Sequence, residues 1–534
     1  MYVRRKSNRS GSTSVVVVEK RDGNIIYHTT IGISSNEGEI RELMRKGKEW
    51  INNKLGQQDI FLEEIRKEEE KEIIENLLNK VENILLNGTQ MILNPVFVNI
   101  GFDKIDDDIL KHLVISRICQ PQSKVATVDY LKSYFDEDVE LYKIYRYLDK
   151  LNDNQKDLIQ NISVEHTRKI LGGKIGVVFY DVTTLYFETD IQDNLRKTGF
   201  SKDGKHSQPQ IVLGLLVSEG GYPLTYCIHQ GNKYEGHTML PVVTEFINKY
   251  NLEDFVIVAD SGLMNAQNIA ELEENGYKYI VGAKIKNESK VVKEWILSQN
   301  KIDGAFYEYQ KSEQCKLILG YSLQRAKKDV FNREKGIKRL EKEFRNGCLS
   351  KDKINKRGYN KFLDISDNIH VSINQEKIYE DIEWDGLKGY ITNTNLSAID
   401  VYQQYSELWQ VERAFRVTKG VLELRPMFHF TRKRIEAHVC ICFIAYKVYK
   451  ELERILKLSN INLSVDKVLD IAKTITTIKV KLQESNETIT KTMLLTSKHK
   501  SIECLFKHEF WDTTENYCFF LFSWKISLLN LLAD

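Results

Sequence analysis

The sequence predicts an α/β protein built around a mixed β-sheet. Three observations predict it. First, between Lys174 and Ile285 the apolar runs and helix-periodic stretches follow the order β-β-β-α-β-α-β. Second, the first and fourth of those strands both stop at an aspartate, Asp181 and Asp260. Third, 42% hydrophobic and 28% charged residues over a 534-residue chain are ordinary for a soluble globular protein and enough for a sizeable core. The net charge of +2, from 77 Lys+Arg against 75 Asp+Glu, argues for no charged partner by itself; only local clusters can.

Each element has its own signal. Residues 14–33 read as two strands joined at Asp22-Gly23, a hairpin turn pair. Residues 37–87 are charged and helix-periodic, which a solvated helix face explains. Residues 106–171 read as short helices over Asp107–Cys119, Ser123–Phe135, Val139–Leu151 and Asn154–Leu171, with Asp, Ser and Asn as candidate caps. After Gly172-Gly173 the period changes. "IGVVFYD", "PQIVLGLLVS" and "YPLTYCIHQ" are strands, "TMLPVVTEFINKY" is a helix and "DFVIVAD" is a strand. "NAQNIAELEENG" is a helix closed by Gly276, and "YKYIVGAKI" is a strand. Residues 286–388 break this rhythm with strand-like pieces around a long basic helix; "LKGYITNT" resumes a strand, and Ala398–Gly420 reads as one helix. A further helix runs over Arg432–Leu456, and residues 464–534 look mixed.

Cysteines and histidines point away from metal-thiolate or zinc chemistry. None of the 8 cysteines forms a CxxC pair, and Cys440 and Cys442 sit in an apolar helical run, so buried free thiols in a reducing cytosol are expected. The 11 histidines show no HxxxH spacing. The first residues, "MYVRRKSNRSGS", lack the apolar region of a signal peptide. The apolar run "ENYCFFLFSWKISLLNLL" is interrupted by Lys525 and falls short of the ~20 residues of a span, so it is expected to dock on the protein. A cytoplasmic protein with no membrane association is expected.

The two aspartates carry the chemistry. Three hairpin-connected strands followed by a right-handed crossover tend to place strand 4 beside strand 1, with both carboxylates at neighbouring strand ends. Two such charges repel unless a cation lies between them, and hard oxygen ligands suit Mg²⁺. A single Asp after a strand is more often a turn or cap residue, so the pairing matters. Glu188 and Asp190 lie past the strand and read as surface carboxylates. At about 100° per residue, Tyr405, Leu408, Glu412, Arg416 and Lys419 share one helix face. Glu412 there can complete a metal site while the cations hold phosphate; the plain alternative is a surface Glu412–Arg416 pair.

"VFYDVTTLYFE", "VIVADSGLMNAQNI", "YIVGAKIK" and "WQVERAFRVTKGVLELRP" together resemble the DDE transposases of bacterial insertion sequences, in the branch with a Tyr-Arg-Glu-Lys helix signature. Tyr405, Glu412 and Lys419 match that signature; Leu408 stands where it has Arg, with Arg413 or Arg416 as substitutes. The resemblance implies an RNase H-like catalytic domain in which Asp181, Asp260 and Glu412 bind two Mg²⁺ ions, with Mn²⁺ as a substitute. Tyr405, Arg416 and Lys419 would position DNA phosphates. The implied activity is strand cleavage and strand transfer at the ends of the protein's own element, of cut-and-paste type. Its partners would be double-stranded DNA, as terminal inverted repeats and target, and a second copy of the chain in a homodimeric synaptic complex in the bacterial cytoplasm.

The expected organisation is an N-terminal hairpin with charged helices (1–105), a helical DNA-binding-like bundle (106–172) and a first catalytic part (173–285). A β-rich and helical insertion domain (286–388), a second catalytic part with the Glu412 helix (389–460) and a mixed C-terminal region (461–534) follow. Arg325–Lys361 holds 14 Lys/Arg against 5 Asp/Glu, the strongest charge asymmetry of the chain and a candidate phosphate contact. Lys143, Arg146 and Lys150, interleaved with tyrosines, mark a candidate recognition helix, although tyrosines at helical spacing are more often core. Trp384 and Trp409 are candidates to stack on a base. Two other classes fit parts of the pattern: an inactive DNA-binding relative of a transposase, and a metal-free two-carboxylate hydrolase, against which the basic segment argues.

Overall fold

The computed structural model describes residues 1–55, 60–201, 204–234, 236, 238–263, 266–346, 358–366, 370–482 and 487–507. The chain divides into two units, residues 1–84 with 478–491, and residues 85–477 with 492–534. In the first unit β1 (Tyr2–Ser7), β2 (Thr13–Arg21) and β3 (Asn24–Ser34) form an antiparallel meander. The β2–β3 turn is Asp22-Gly23, both at positive φ (51° and 81°), as the sequence predicts. Val15–Val18 are buried, and the helix Glu37–Leu55 packs on this sheet. The second charged helix, Ile60–Leu78, is exposed from Arg66 onward.

One part of the charged stretch differs from expectation. Val81–Leu85 is a strand, β4, not the end of a helix. Its β-branched residues find a partner strand some 400 residues downstream, and that pairing overrides the local helical pattern.

The second unit is organised by one eight-stranded sheet. Its members are β5 (Val177–Tyr186), β6 (Gln210–Ser218), β7 (Pro223–Gln230), β8 (Val256–Ala259) and β9 (Lys278–Ala283), together with β10 (Phe306–Gln310), β11 (Lys316–Tyr321) and β14 (Leu387–Thr392). The order is β10-β11-β14-β9-β8-β5-β6-β7. β5 pairs antiparallel with β6 and parallel with β8, so strand 4 of the predicted series does lie beside strand 1. The helices Met239–Tyr250 and Ala266–Glu274 connect β7 to β8 and β8 to β9.

The 286–388 segment is not wholly separate from this sheet. β10 and β11 extend it beyond β14, the strand expected to resume the core, and the stretch between β11 and β14 leaves it. That stretch carries the basic helix Leu323–Arg345, the hairpin β12 (Leu363–Ser366) and β13 (His370–Ile373), and the helix Gln375–Ile382. Apolar alternation in "CKLILGY" suits a sheet buried on both faces, and Leu317, Ile318 and Leu319 are all buried.

Helices cover both faces of the sheet: Met239–Tyr250 and Ala266–Glu274 pack on one, and Trp409–Arg416 and Arg432–Leu458 on the other. Arg432–Leu458 is the longest, and Asp108–Cys119 and Leu141–Asn154 pack on it. Asp107 and Ser123 cap their helices as expected, accepting from Ile109 N and Ala126 N at 3.1 and 3.2 Å. Cys440 and Cys442 are buried free thiols in this helix. The expected recognition helix is split by burial. Tyr147 is core, Tyr145 lies under the Arg434 guanidinium, and Tyr142, Lys143, Arg146 and Lys150 are exposed. β15 (Thr476–Lys481) and β16 (Thr488–Met493) complete the strands, in the order β16-β15-β4. The apolar C-terminal run around Lys525 lies outside the described residues. Among the described residues no helix is long and apolar enough to cross a membrane.

Lys447, fully buried in the long helix, donates to Ser163 O at 3.0 Å and Thr167 Oγ1 at 2.5 Å. Burial depresses its pKa to about 7. The unfolded chain therefore holds this proton from pH 7 up to the ordinary lysine range while the folded chain has released it, so stability rises with pH across that window. A melting temperature that climbs from pH 7 to 9 in the native protein, and climbs less in Lys447→Met, is the expected result.

Candidate active site

The site is built on one face of the sheet. Side chains alternate along a strand, so residues of one parity share a face. Val177 and Phe179 of β5, Val258 of β8, Ile280 of β9, Ile318 of β11 and Tyr390 of β14 all enter the core shared with the helices Trp409–Arg416 and Arg432–Leu458. By the same parity Asp181, Asp260, Gly282, Gly320 and Lys388 look toward that helical layer.

Register sets the two aspartates side by side. The last paired positions of the parallel ladder are Tyr180 and Ala259, and each aspartate is the next residue. Strands in a ladder lie about 4.8 Å apart, so the two backbones diverge from neighbouring points. Asp181 is not at the end of its strand, however. β5 continues to Tyr186 on its β6 side, with Asp181 opposite Leu215. The β-branched residues Val182, Thr183 and Thr184, all buried, hold that side in the ladder. β8 does stop, and past its end the Asp181 carboxylate accepts the Val182 amide at 2.7 Å. Asp260 opens a turn closed by Leu263 N to Asp260 O at 3.1 Å, and is exposed. Glu188 is exposed, as expected of a surface carboxylate.

Tyr405 ties the covering helix to the sheet. Its hydroxyl donates to Asp260 Oδ1 at 3.0 Å. Burial, with the Asp260 charge, pushes that hydroxyl well above the ordinary tyrosine range, so it stays a donor. Gly282 makes the contact possible: a Cβ there would lie 2.7 Å from the Tyr405 oxygen. Gly282→Ala is therefore expected to displace the hydroxyl and to weaken any cleavage that depends on Asp260 about tenfold or more. Tyr405→Phe should match it, and the double variant should lose no more than either, as kinetics of DNA cleavage would show.

The Glu412 helix differs from the single helix read in the sequence. Ala398–Ser406 and Trp409–Arg416 are separate segments, followed by a π-turn over Val417–Val421. Tight i→i+3 bonds at Leu408, Gln410 and Val411 mark the first break. Burial also divides the supposed common face: Tyr405 and Leu408 are buried, whereas Glu412 and Arg416 are exposed. The π-turn changes the angular spacing beyond Arg416, so straight-helix counting does not carry Lys419 onto the Glu412 face; Lys419 is half-buried. Arg413 is held by Glu453 at 2.8 Å, which leaves Arg416 as the exposed cation of the two substitutes for the signature Arg. Trp409 is 45% exposed and stays a surface ring, while Trp384 is half-buried with Lys286 over it.

Lys388, which the sequence reading passes over, joins the carboxylates. Its ammonium lies 4.5 Å from the Tyr405 ring centre and 5.5 Å from that of Tyr390. Burial, then Arg325, pull its pKa below the ordinary lysine range, while Asp260 and Glu412 pull it back up. Lys388 and Tyr405 are thus both under the influence of the Asp260 and Glu412 charges. The signal was a lysine on the inward parity of "LKGYITNT", alternating with Tyr390 and Thr392.

The donor chemistry fits a hard divalent cation, since all three candidates are carboxylates. The shell is not closed, because among the described residues no three acidic, histidine or cysteine side chains are gathered tightly enough to hold an ion.

No curated protein matches the chain. Among solved structures, the cryo-EM structure of the piggyBac transposase synaptic complex with hairpin DNA is similar at a TM-score of 0.38 and 9% identity, over 72% of this chain and 76% of that chain. The transposase DDE domain family matches residues 172–447, which run from just before β5 into the long helix and include Asp181, Asp260 and Glu412. That match covers more than half of the sequence, and the chain belongs to the DDE transposases.

Proposed function

We propose that the protein is a metal-dependent transposase that cleaves DNA at the ends of its own insertion sequence and joins those ends to target DNA by a cut-and-paste route. The observation that carries the reading is the placement of Asp181 and Asp260 at matched positions of adjacent parallel strands, under a helix bearing Glu412. The order β7-β6-β5-β8-β9, with β6 antiparallel between its neighbours, supports an RNase H-like core.

In this reading Asp181, Asp260 and Glu412 hold two Mg²⁺ ions. Bound there, the ions supply Lewis acidity and lower the pKa of a water nucleophile. The chain's own residues do the rest. Asp181 and Asp260 concentrate negative charge at one point of the sheet. Tyr405 fixes the Asp260 carboxylate through one oxygen and leaves the other open. Arg416 and Lys419 hold phosphate on the helix side. The exposed cations of Leu141–Asn154 and of the basic helix Leu323–Arg345 carry flanking DNA, in a homodimeric synaptic complex. The insertion, with the boundaries 286–388, and the bundle at 106–172 serve as DNA-facing parts.

The test is a cleavage assay with a duplex copied from the DNA flanking the protein's own gene. Nicking or cutting that requires Mg²⁺ or Mn²⁺ is the expected result. Tight binding with no strand cleavage in either metal would instead favour an inactive DNA-binding relative.

A further inference from the structure

Beside the carboxylates lies a cavity of about 460 Å³ in the same structural unit. Tyr321, Tyr390, Tyr402 and Tyr405 line it, and Lys388 and Arg325 outnumber the one lining carboxylate, Asp303, which accepts the Leu323 amide at 2.8 Å. It is bounded by β10, β11, β14 and the helix Ala398–Ser406, and Arg325 comes from the basic helix.

Lys388 is the unusual member. Its aliphatic stem starts from a strand position on the face that elsewhere feeds the core. Among the described residues, its ammonium makes ring contacts but no hydrogen bond or ion pair. A half-buried ammonium keeps three donors to satisfy, and aromatic faces satisfy none of them fully. Arg325 lines the same cavity and is only loosely paired, with Asp329 at 3.9 Å, so the aromatic-walled cavity gathers two cations against one lining acid. An anion with several acceptor oxygens answers both needs, and a phosphodiester flanked by a planar base also answers the tyrosines.

The position has a second meaning. Leu408 is buried and cannot present a charge, and Arg413 is committed to Glu453. On the helix Arg416 is left as the exposed cation, and Lys388 adds a second one from the sheet side.

We propose that Lys388 and Arg325 form a phosphate subsite beside the acidic centre, in which the DNA strand being cleaved seats one phosphodiester against the Lys388 ammonium. This rests on the reading of the centre as one that cleaves DNA. Lys388 is a positioning residue in it: it fixes the strand relative to Asp260 and Glu412.

The experiment measures binding of the full chain to a labelled duplex copied from the DNA flanking its own gene. Ca²⁺ replaces Mg²⁺ so that binding is read without cleavage. Lys388→Met should lower affinity about tenfold and flatten the dependence of log affinity on log salt by about one unit. Lys388→Arg should restore most of both. A series of duplexes with single neutral methylphosphonates supplies a readout that a structural role would not move. The position that weakens the native protein should have no further effect on Lys388→Met. Unchanged affinity and salt slope in Lys388→Met, with the native methylphosphonate pattern, would overturn the subsite. If Lys388→Met fails to fold, Arg325→Gln takes its place, with the same expected loss of slope and the same overturning result. Cleavage by the native protein alongside a failed subsite leaves the transposase reading standing; a native protein that binds no DNA removes both.

Discussion

Asp181→Asn, Asp260→Asn and Glu412→Gln are each expected to reduce metal-dependent DNA cleavage on the order of a thousandfold or more, which corresponds to roughly 4 kcal/mol of transition-state stabilisation. The substitutions remove charge and little else. Asparagine at 181 still offers an oxygen to the Val182 amide, and asparagine at 260 still accepts from the Tyr405 hydroxyl. Glu412 is exposed, so glutamine there disturbs no packing. DNA binding and melting temperature should therefore stay near native in all three. Gel-resolved cleavage of a flanking-sequence duplex in Mg²⁺, read beside a binding titration, checks this. Undiminished cutting by Glu412→Gln would remove its helix from the site while leaving the aspartate pair.

Arg333→Met should cost about 3–5 kcal/mol locally and release the basic helix Leu323–Arg345 from the rest of its unit. Arg333 sits within that helix, and its side chain is only 7% exposed. Its guanidinium makes a two-pronged contact with Asp385, one arm at 2.7 Å, and also reaches Asp381 at 3.4 Å. Lys286 and Lys361 converge on Asp381 as well, each at 2.6 Å. Removing the arginine leaves Asp385, whose side chain is 12% exposed, without its main counter-charge, which is more harmful than the pair was helpful. Lysine should rescue poorly, because a single ammonium cannot match the two-pronged geometry. Amide hydrogen exchange should accelerate across Leu323–Arg345 while β5–β9 keep their protection. Unchanged exchange in that helix would show that Leu340 packing on Leu363, and not the ion cluster, anchors it.

Much of the central architecture was legible because it is local. The β-β-β-α-β-α-β order follows from period and turn residues, and handedness then placed β8 beside β5. The acid types were legible as well, since a carboxylate interrupting an apolar strand is visible without coordinates. What escaped depends on distant pairing. β10 and β11 look like fragments of an insertion until β11 is seen to pair with β14, which itself pairs with β9. Val81–Leu85 reads as helix until β15 arrives. Lys388 shows its environment only when Tyr405, from another element, closes over it. The helix breaks near Leu408 and Val417 contain no proline, so nothing in their composition announces them.

The unequal lengths of β5 and β8 have a mechanical outcome. Asp181 is clamped in a ladder that runs on for five more residues beside β6, so its main chain cannot travel without unzipping that pairing. Asp260 rides on the first residue of a turn, and Glu412 on a two-turn helix hinged at Leu408 and again at Val417. The three acids thus resemble a vice with one fixed jaw. In the proposed reading, any adjustment that brings the three acids around a metal falls to Asp260 and Glu412, and Asp181 sets the point of reference.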